Sequence, residues 1–110
     1  MVVARVHDPR PIGVFDSGVG GLTVARAIID LLPHEPLIYV GDTARFPYGP
    51  RPGEEIKRYA LEVADYLIHR DVKMLVVACN SVEVSAIGDI AIRAGIPVVG
   101  VIDPGTRAAV

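Results

Sequence analysis

Four short apolar runs, each followed directly by small polar residues, constrain the fold of this 110-residue chain more than any other feature. The runs are continuous rather than alternating in polarity and are rich in Val and Ile. Such runs are typical of strands that are buried on both faces of a parallel sheet. We therefore predict four strands, over residues 12–15, 37–40, 74–78 and 98–102.

Amphipathic stretches lie between these runs and predict three helices. The clearest covers residues 54–70, where apolar side chains recur every three or four positions. A second covers 22–32, is apolar nearly all round and is therefore expected to be well buried. A third covers 82–94 and ends at Gly95. The alternation predicts an α/β fold of order βαβαβαβ, with a parallel sheet of about four strands and right-handed crossovers.

The composition excludes several classes of function. Eleven Lys and Arg against thirteen Asp and Glu give a net charge of -2, which disfavours nucleic acid and membrane surfaces as partners. No apolar stretch approaches the ~18 residues that a membrane span needs. The single cysteine excludes an intrachain disulfide and favours a cytosolic compartment.

Polar residues follow all four predicted strands. Because ligands of open parallel sheets bind outside the carboxyl ends of the strands, this edge of the sheet is the predicted site. The residues there are Asp16, Ser17, Asp42, Thr43, Cys79, Asn80, Ser81 and Asp103.

Within this set, Cys79 is the candidate for a reactive side chain. It follows a strand and precedes a helix, and a helix N-terminus favours the thiolate form of a cysteine. Asn80 and Ser81 would supply hydrogen bonds beside it. The alternative is an inert cysteine that fills the core as a small apolar side chain.

A glycine-rich loop over residues 18–23 fails the G-x-G-x-x-G pattern, because Thr23 occupies the position of the third glycine. Its backbone N–H groups could still approach a phosphate or a carboxylate at the helix N-terminus. The alternative is a tight turn that binds nothing, with Asp16 and Ser17 as its local caps. Asp42, about 20 residues further on, resembles the ribose-binding acid of dinucleotide folds and supports a rival hypothesis of nucleotide binding.

Residues 45–53 form a segment rich in proline and glycine that we expect to fold over the strand ends, where Tyr48 would shape a pocket wall. The pattern favours the alternative, a plain connector with solvated arginines. His7, His34 and His69 share no ligand spacing with one another or with the cysteine, so we predict no metal site.

Three segments, at 12–23, 41–49 and 73–81, together resemble the glutamate racemase family of the aspartate/glutamate racemase group. The resemblance implies a cofactor-independent enzyme that supplies D-glutamate for peptidoglycan, and hence for cell wall biogenesis and cell shape, in the cytoplasm. It also implies two cysteines on opposite faces of the α-carbon of glutamate. One removes the α-proton as a thiolate, and the other returns a proton as a thiol.

Carried over by position, the resemblance makes Cys79 one of these two acid/base groups. It implies no cofactor and no metal, a small-molecule substrate and a possible homodimer of the full-length protein. The residues that would contact the amino acid are Asp16, Ser17, Tyr48, Gly49, Asn80 and Ser81.

Two departures from the family pattern qualify these expectations. Val82 and Glu83 stand where the family commonly has Ala and Ser after Asn-Thr, which could alter the pocket beside the cysteine. The family's second cysteine lies in a second α/β domain, which this sequence lacks. Asp103 and Pro104 also form a helix-start signal with six residues after it, too few to cover a sheet face.

We therefore expect one half of a pseudo-symmetric two-domain racemase, with little activity alone. The predicted divisions are a tail over 1–11, the first racemase domain over 12–98 and the truncated start of a second over 99–110. The alternatives are a racemase of aspartate or another amino acid, a non-catalytic module that binds a nucleotide or acidic metabolite, and an assembly surface.

Overall fold

A computed structural model describes residues 8–18 and 20–100 of the chain. The elements run β1 Ile12–Asp16, α1 Leu22–Leu31, β2 Leu37–Gly41, α2 Gly53–His69, β3 Met74–Val77, α3 Asn80–Ala94 and β4 Val98–Gly100, with a 3-10 turn at Thr43–Arg45. The predicted α/β class and the parallel four-stranded sheet are confirmed. The end of the predicted fourth strand, the Asp103-Pro104 signal and His7 lie outside the described residues.

The strand order is β2-β1-β3-β4, so the chain changes direction across the sheet after β2. The first crossover steps to one side of β1, and the next two step to the other side. Because parallel crossovers are right-handed, α1 covers one face of the sheet, while α2 and α3 cover the other. The carboxyl ends of β1 and β3 are therefore neighbours, with Phe15 level with Val77. This is the topological switch point, where open α/β sheets bind ligands.

The face under α2 and α3 holds the larger core. The two helices pack on each other and on the sheet through side chains that are almost completely buried, among them Phe15, Leu67, Leu75, Val77 and Ile90. Residues of β1 alternate between the faces, as the pleat requires, so Val14 points to the α1 side. There the core is smaller and consists of Ile12, Val14, Val76 and Ala78.

Helix α1 contradicts the expectation that it would be well buried. Ala25 is its only buried residue, and Leu31 is 78% exposed. The reason is that, within the described residues, α1 is the one helix on its face of the sheet, so no second layer covers its outer surface. Val99 of β4 is also exposed. Apolar residues all round a helix therefore did not imply neighbours on all sides.

Helix α3 begins at Asn80, two residues before the predicted start, and ends where Gly95 adopts the left-handed conformation. Cys79 is its N-cap residue, with extended backbone angles (φ -114°, ψ 122°). The strand therefore passes into the helix with only Ala78 and Cys79 between them. None of the helices in the described part of the chain has the length and apolarity that a membrane crossing requires.

Candidate active site

Cys79 and Ser17 meet at the point where β1 and β3 end side by side. The Ala78 N–H donates to the Phe15 carbonyl oxygen at 2.8 Å and extends the strand pairing by one residue. Beyond it, the Cys79 Sγ donates to the Ser17 Oγ at 3.4 Å. Both side chains are buried. The two predicted site residues that are 62 positions apart in sequence are thus in direct contact.

Asp16 organises the glycine-rich loop from within. Its carboxylate accepts the Ser17 N–H at 2.8 Å and the Gly21 N–H at 2.6 Å. Tyr39 of β2 adds a hydrogen bond from its hydroxyl to the Gly18 carbonyl oxygen, at 2.8 Å. The Gly21 amide of the loop and the Ser17 amide just before it are therefore occupied by a carboxylate of the chain itself. Asp16 thus accepts hydrogen bonds from this turn, and its side chain is buried at the strand end.

The thiol of Cys79 lies at the N-terminus of α3. The Cys79 carbonyl oxygen accepts the Glu83 N–H at 3.0 Å, which closes the first turn of that helix. The first N–H groups of a helix have no acceptor within that helix, so they and the helix dipole give this end of α3 a partial positive charge. Asn80 is exposed and Ser81 is half-buried, so both offer polar groups at the rim of the buried thiol.

The two departures from the family pattern have different surroundings. Val82 is completely buried and belongs to the same core cluster as Cys79 and Tyr48. Glu83 is buried against the end of β4, where a β-carbon at Gly100 would collide with its carboxylate. Val82 is therefore the departure that shares a core cluster with Cys79.

Tyr48 lies at the same end of the sheet, against Phe15 of β1. It is 1% exposed, and its ring meets the ring of Phe15 edge-on, with centroids 6.4 Å apart. Its hydroxyl donates to the Asp42 carboxylate. Burial, and then this hydrogen bond, raise the pKa of Tyr48 above its ordinary value of 10.0. The phenol is therefore a neutral hydrogen-bond donor rather than a base.

Gly49 brings the same loop to the start of α3. A β-carbon added there would lie 3.7 Å from the Ser81 Oγ. The peptide bond between Phe46 and Pro47, in the same loop, is cis. All seven predicted site residues thus lie at one edge of the sheet: Asp16, Ser17, Tyr48, Gly49, Cys79, Asn80 and Ser81.

The interpretation of residues 45–53 as a connector with solvated arginines is wrong for Arg45. Its side chain is 28% exposed, and its Nε donates to the Asp42 Oδ2 at 2.7 Å. Its Nη1 donates to the Glu62 Oε2 at 2.6 Å. Burial would lower the pKa of Arg45, but the hydrogen bonds to Glu62 and Asp42 raise it. Asp42 consequently holds two donors of its own chain where a ribose would have been expected.

The partners of this loop on α2 were not identified from the sequence. Glu55, Tyr59 and Glu62 follow one another at steps of four and three residues, so they line one stripe of the helix. The sequence signal for these partners was a stripe of two carboxylates and a phenol on one helix, close to a loop with two arginines. Among the described residues, no group of three or more His, Cys, Asp and Glu could hold a metal ion.

No protein-family model matches the chain. Individual proteins do. The chain is 61% identical over 100 residues to a glutamate racemase of Parafrankia sp., and this alignment covers 91% of the chain and 36% of that protein. It is 56% identical over 101 residues to a glutamate racemase of Exiguobacterium sibiricum, and this alignment covers 92% of the chain and 37% of that protein. The chain therefore spans little more than a third of the length of these relatives.

Solved structures agree. The glutamate racemase of Thermus thermophilus in complex with β-chloro-D-alanine superimposes with a TM-score of 0.86 and 51% identity, over 92% of the chain and 40% of that protein. The glutamate racemase of Francisella tularensis in complex with D-glutamate superimposes with a TM-score of 0.85 and 42% identity, over 91% and 38%. Over the length that these proteins match, the chain belongs to the glutamate racemase family.

Proposed function

We propose that this domain supplies one of the two acid/base thiols of a glutamate racemase, and that Cys79 is that thiol. The observation that carries the proposal is the contact between Cys79 and Ser17 at the switch point, with the sulfur at the N-terminus of α3. The names of the relatives support the substrate class. Racemisation of glutamate needs removal of a weakly acidic α-proton, which a thiolate in a water-poor site can perform.

The surrounding groups fit the charges of that reaction. The thiolate takes the α-proton of glutamate and becomes a thiol. The electron pair of the broken C–H bond stays on the α-carbon, which becomes a carbanion. Asn80 and Ser81, with the first N–H groups of α3, offer donors for a substrate carboxylate that gains charge in this step. Asp16 offers negative charge for the substrate ammonium group. Tyr48 and Gly49 close the opposite side of the pocket.

A single thiol serves one face of the α-carbon. The proton for the other face must come from a second group, which the family resemblance identifies as a cysteine of the second domain. We therefore propose that this chain alone has little or no racemase activity. No cofactor is required in this scheme, because both proton transfers use side chains.

The wider role follows from the same resemblance. We propose that the product D-glutamate supplies peptidoglycan synthesis in the cytoplasm, and so cell wall biogenesis and cell shape. A homodimer of the complete enzyme belongs to this proposal as well.

The rival proposal of a nucleotide-binding module has less support. The carboxylate of Asp16 accepts the Gly21 amide of the glycine-rich loop and the Ser17 amide just before it, and Asp42 accepts hydrogen bonds from Tyr48 and Arg45. Both features that motivated the rival are thereby used within the chain. Calorimetric titration with NAD, ATP and glutamate tests this, since tight nucleotide binding would favour the module.

The decisive experiment follows deuterium. A longer protein that contains this domain is incubated with L-glutamate in D2O, with proton NMR for α-deuteration and circular dichroism for inversion. We expect both signals, and we expect Cys79→Ser to abolish them. The control Ser85→Ala, on the same helix, should keep them. Absence of α-deuteration by the longer protein would refute the racemase proposal, and normal turnover by the 110-residue chain as a monomer would refute the need for a second domain. Faster turnover of aspartate than glutamate would favour the related racemase.

A further inference from the structure

The loop that carries Tyr48 and Gly49 is held against α2 by side chains that the proposed mechanism does not use. They form one connected group, which we call the arginine–tyrosine cluster. Its members are Arg45, Arg51, Glu55, Tyr59 and Glu62.

Arg45 is the centre of this cluster because its guanidinium makes three contacts at once. It donates to Asp42 at 2.7 Å and to Glu62 at 2.6 Å. Its Cζ also lies 4.0 Å from the centroid of the Tyr59 ring, within the range of a cation–π interaction. One side chain of the loop thereby joins the end of β2 to the middle of α2.

Arg51 forms a second attachment further along the loop. Its Nη1 donates to the Glu55 Oε1 at 2.8 Å, and the Tyr59 hydroxyl donates to the same oxygen at 2.6 Å. Its Nε donates to the Arg45 carbonyl oxygen at 3.2 Å, so the two arginines support each other. The ring of Tyr59 also lies 5.7 Å from the ring of Tyr48, centroid to centroid. The cluster is thus in contact with the wall of the candidate site.

We propose that Arg45 is a positioning residue, which fixes Asp42 and through it the Tyr48 hydroxyl, and so holds the loop closed over Cys79. The proposal rests on the proposed function for its effect on glutamate, and on the contacts above for its effect on the loop. The Asp42 carboxylate accepts hydrogen bonds from both Tyr48 and Arg45. The guanidinium of Arg45 therefore determines the position of the carboxylate to which the Tyr48 hydroxyl donates. It touches neither the thiol nor the residues proposed to bind the amino acid, except through that carboxylate.

A lysine would not replace this side chain fully. The planar guanidinium presents separate N–H groups to two carboxylates and a flat face to the ring, whereas an ammonium is a compact point charge. We therefore expect Arg45→Lys to recover part of the function of Arg45. We expect Arg45→Met, which keeps most of the apolar packing, to lose it.

Cys79 itself is the probe for the test, since it is the only cysteine in the sequence and is buried beside Tyr48 in the core cluster. Its rate of alkylation by iodoacetamide is measured at pH 7.5 on the 110-residue chain. Arg45→Met should raise the rate by roughly 10- to 100-fold, the range expected when a hydrogen bond to a charged group is lost. The matched control is Arg58→Met, which removes a cation from over the same ring (5.2 Å) but not from Asp42.

Alkylation at several urea concentrations separates loop opening from unfolding. An opening of the loop exposes little surface, so the rate in Arg45→Met should depend only weakly on urea. A rate that rises as steeply with urea as the unfolding constant would show a merely structural role and would overturn the proposal. An unchanged alkylation rate in Arg45→Met would overturn it as well, as would an equal increase in Arg58→Met.

Glutamate kinetics on a longer protein that contains the domain supply the second readout. Arg45→Met should raise the KM for glutamate more than it lowers kcat, because the loop borders the pocket and the thiol is unchanged. A selective loss of kcat would contradict the positioning role. If neither the longer protein nor its Arg45→Met variant turns over glutamate but the alkylation result holds, the proposed function fails. The role of Arg45 in holding the loop would still stand.

Discussion

Substituting Tyr48 by phenylalanine removes one buried hydroxyl and keeps the ring that packs against Phe15. The lost interaction is a hydrogen bond to the carboxylate of Asp42, and bonds to charged groups contribute about 1.5–3 kcal/mol. Asp42 keeps its bond from Arg45 at 2.7 Å, so it is not left without a donor. We therefore expect Tyr48→Phe to lower the free energy of unfolding by ~1.5 kcal/mol at pH 7, the lower end of that range.

The pH dependence of this difference has a definite sign. The pKa of Tyr48 in the folded state lies above its ordinary value of 10.0, first through burial and then through the hydrogen bond to Asp42. A raised folded-state pKa gives stabilisation that is complete below pH 10.0 and is lost as the pH rises through the folded-state value. The gap between wild type and Tyr48→Phe should therefore be constant from pH 7 to 9 and shrink above pH 10. Tyr39, whose pKa burial also raises, is present in both proteins and cancels.

Urea unfolding followed by circular dichroism, repeated between pH 7 and 11, measures both effects. Tyr66→Phe is the matched control, because that hydroxyl belongs to an exposed side chain on the outside of α2 and should change stability by less than about 0.5 kcal/mol. A loss below about 0.5 kcal/mol for Tyr48→Phe at pH 7 would show that the hydroxyl is not hydrogen-bonded to the Asp42 carboxylate. A gap that widens above pH 10 would refute the assigned direction of the shift.

Five further substitutions, grouped into three tests, probe the packing and the charges by urea unfolding. Leu67→Ala, in the core under α2, should cost about 2–5 kcal/mol, whereas Leu31→Ala, on the exposed side of α1, should cost under about 0.5 kcal/mol. Gly41→Ala should destabilise strongly, because its β-carbon would collide with a carbonyl oxygen of the glycine-rich loop, while Gly88→Ala, with open space on a helix, should stabilise by about 0.5–1 kcal/mol. The pKa of Glu55 is lowered by the neighbouring tyrosine hydroxyl, so its stabilisation is present above its ordinary pKa of 4.5 and lost as the pH falls through the folded-state value. Glu55→Gln should accordingly lose less stability than wild type between pH 7 and pH 3.

The strands and helices were predictable because their residues carry the signal locally. Continuous apolar runs marked three strands to within one residue, and the stripe of α2 marked that helix within one residue at each end. The exposure of α1 was not predictable in the same way. Apolar residues on all sides of a helix indicate which side chains neighbouring elements could cover. The number of layers on a sheet face depends on the paths of all the other crossovers. The prediction of its burial failed at that step.

The arginine–tyrosine cluster shows a different limit. Arg45 lies in a segment whose proline and glycine content suggests solvent exposure. Arg51 is paired with Glu55, only four residues further on, whereas Glu62, a partner of Arg45, is 17 residues away in sequence. Only the approach of the loop to α2 brings Arg45 and Glu62 together as an ion pair. Long-range pairing of this kind requires the loop path, which the local pattern does not contain.

The strand order explains which part of the site could be expected and which could not. Because β1 and β3 are neighbours, the residues that follow them, Ser17 and Cys79, are brought into contact by the sheet itself. Asp42 follows β2, on the far side of β1 from the thiol, so the same argument does not bring it to Cys79. It is connected to the site by way of Tyr48, whose hydroxyl it accepts. The strand order thus brings Ser17 and Cys79 together directly, while the connection of Asp42 to them depends on the path of the loop that carries Tyr48.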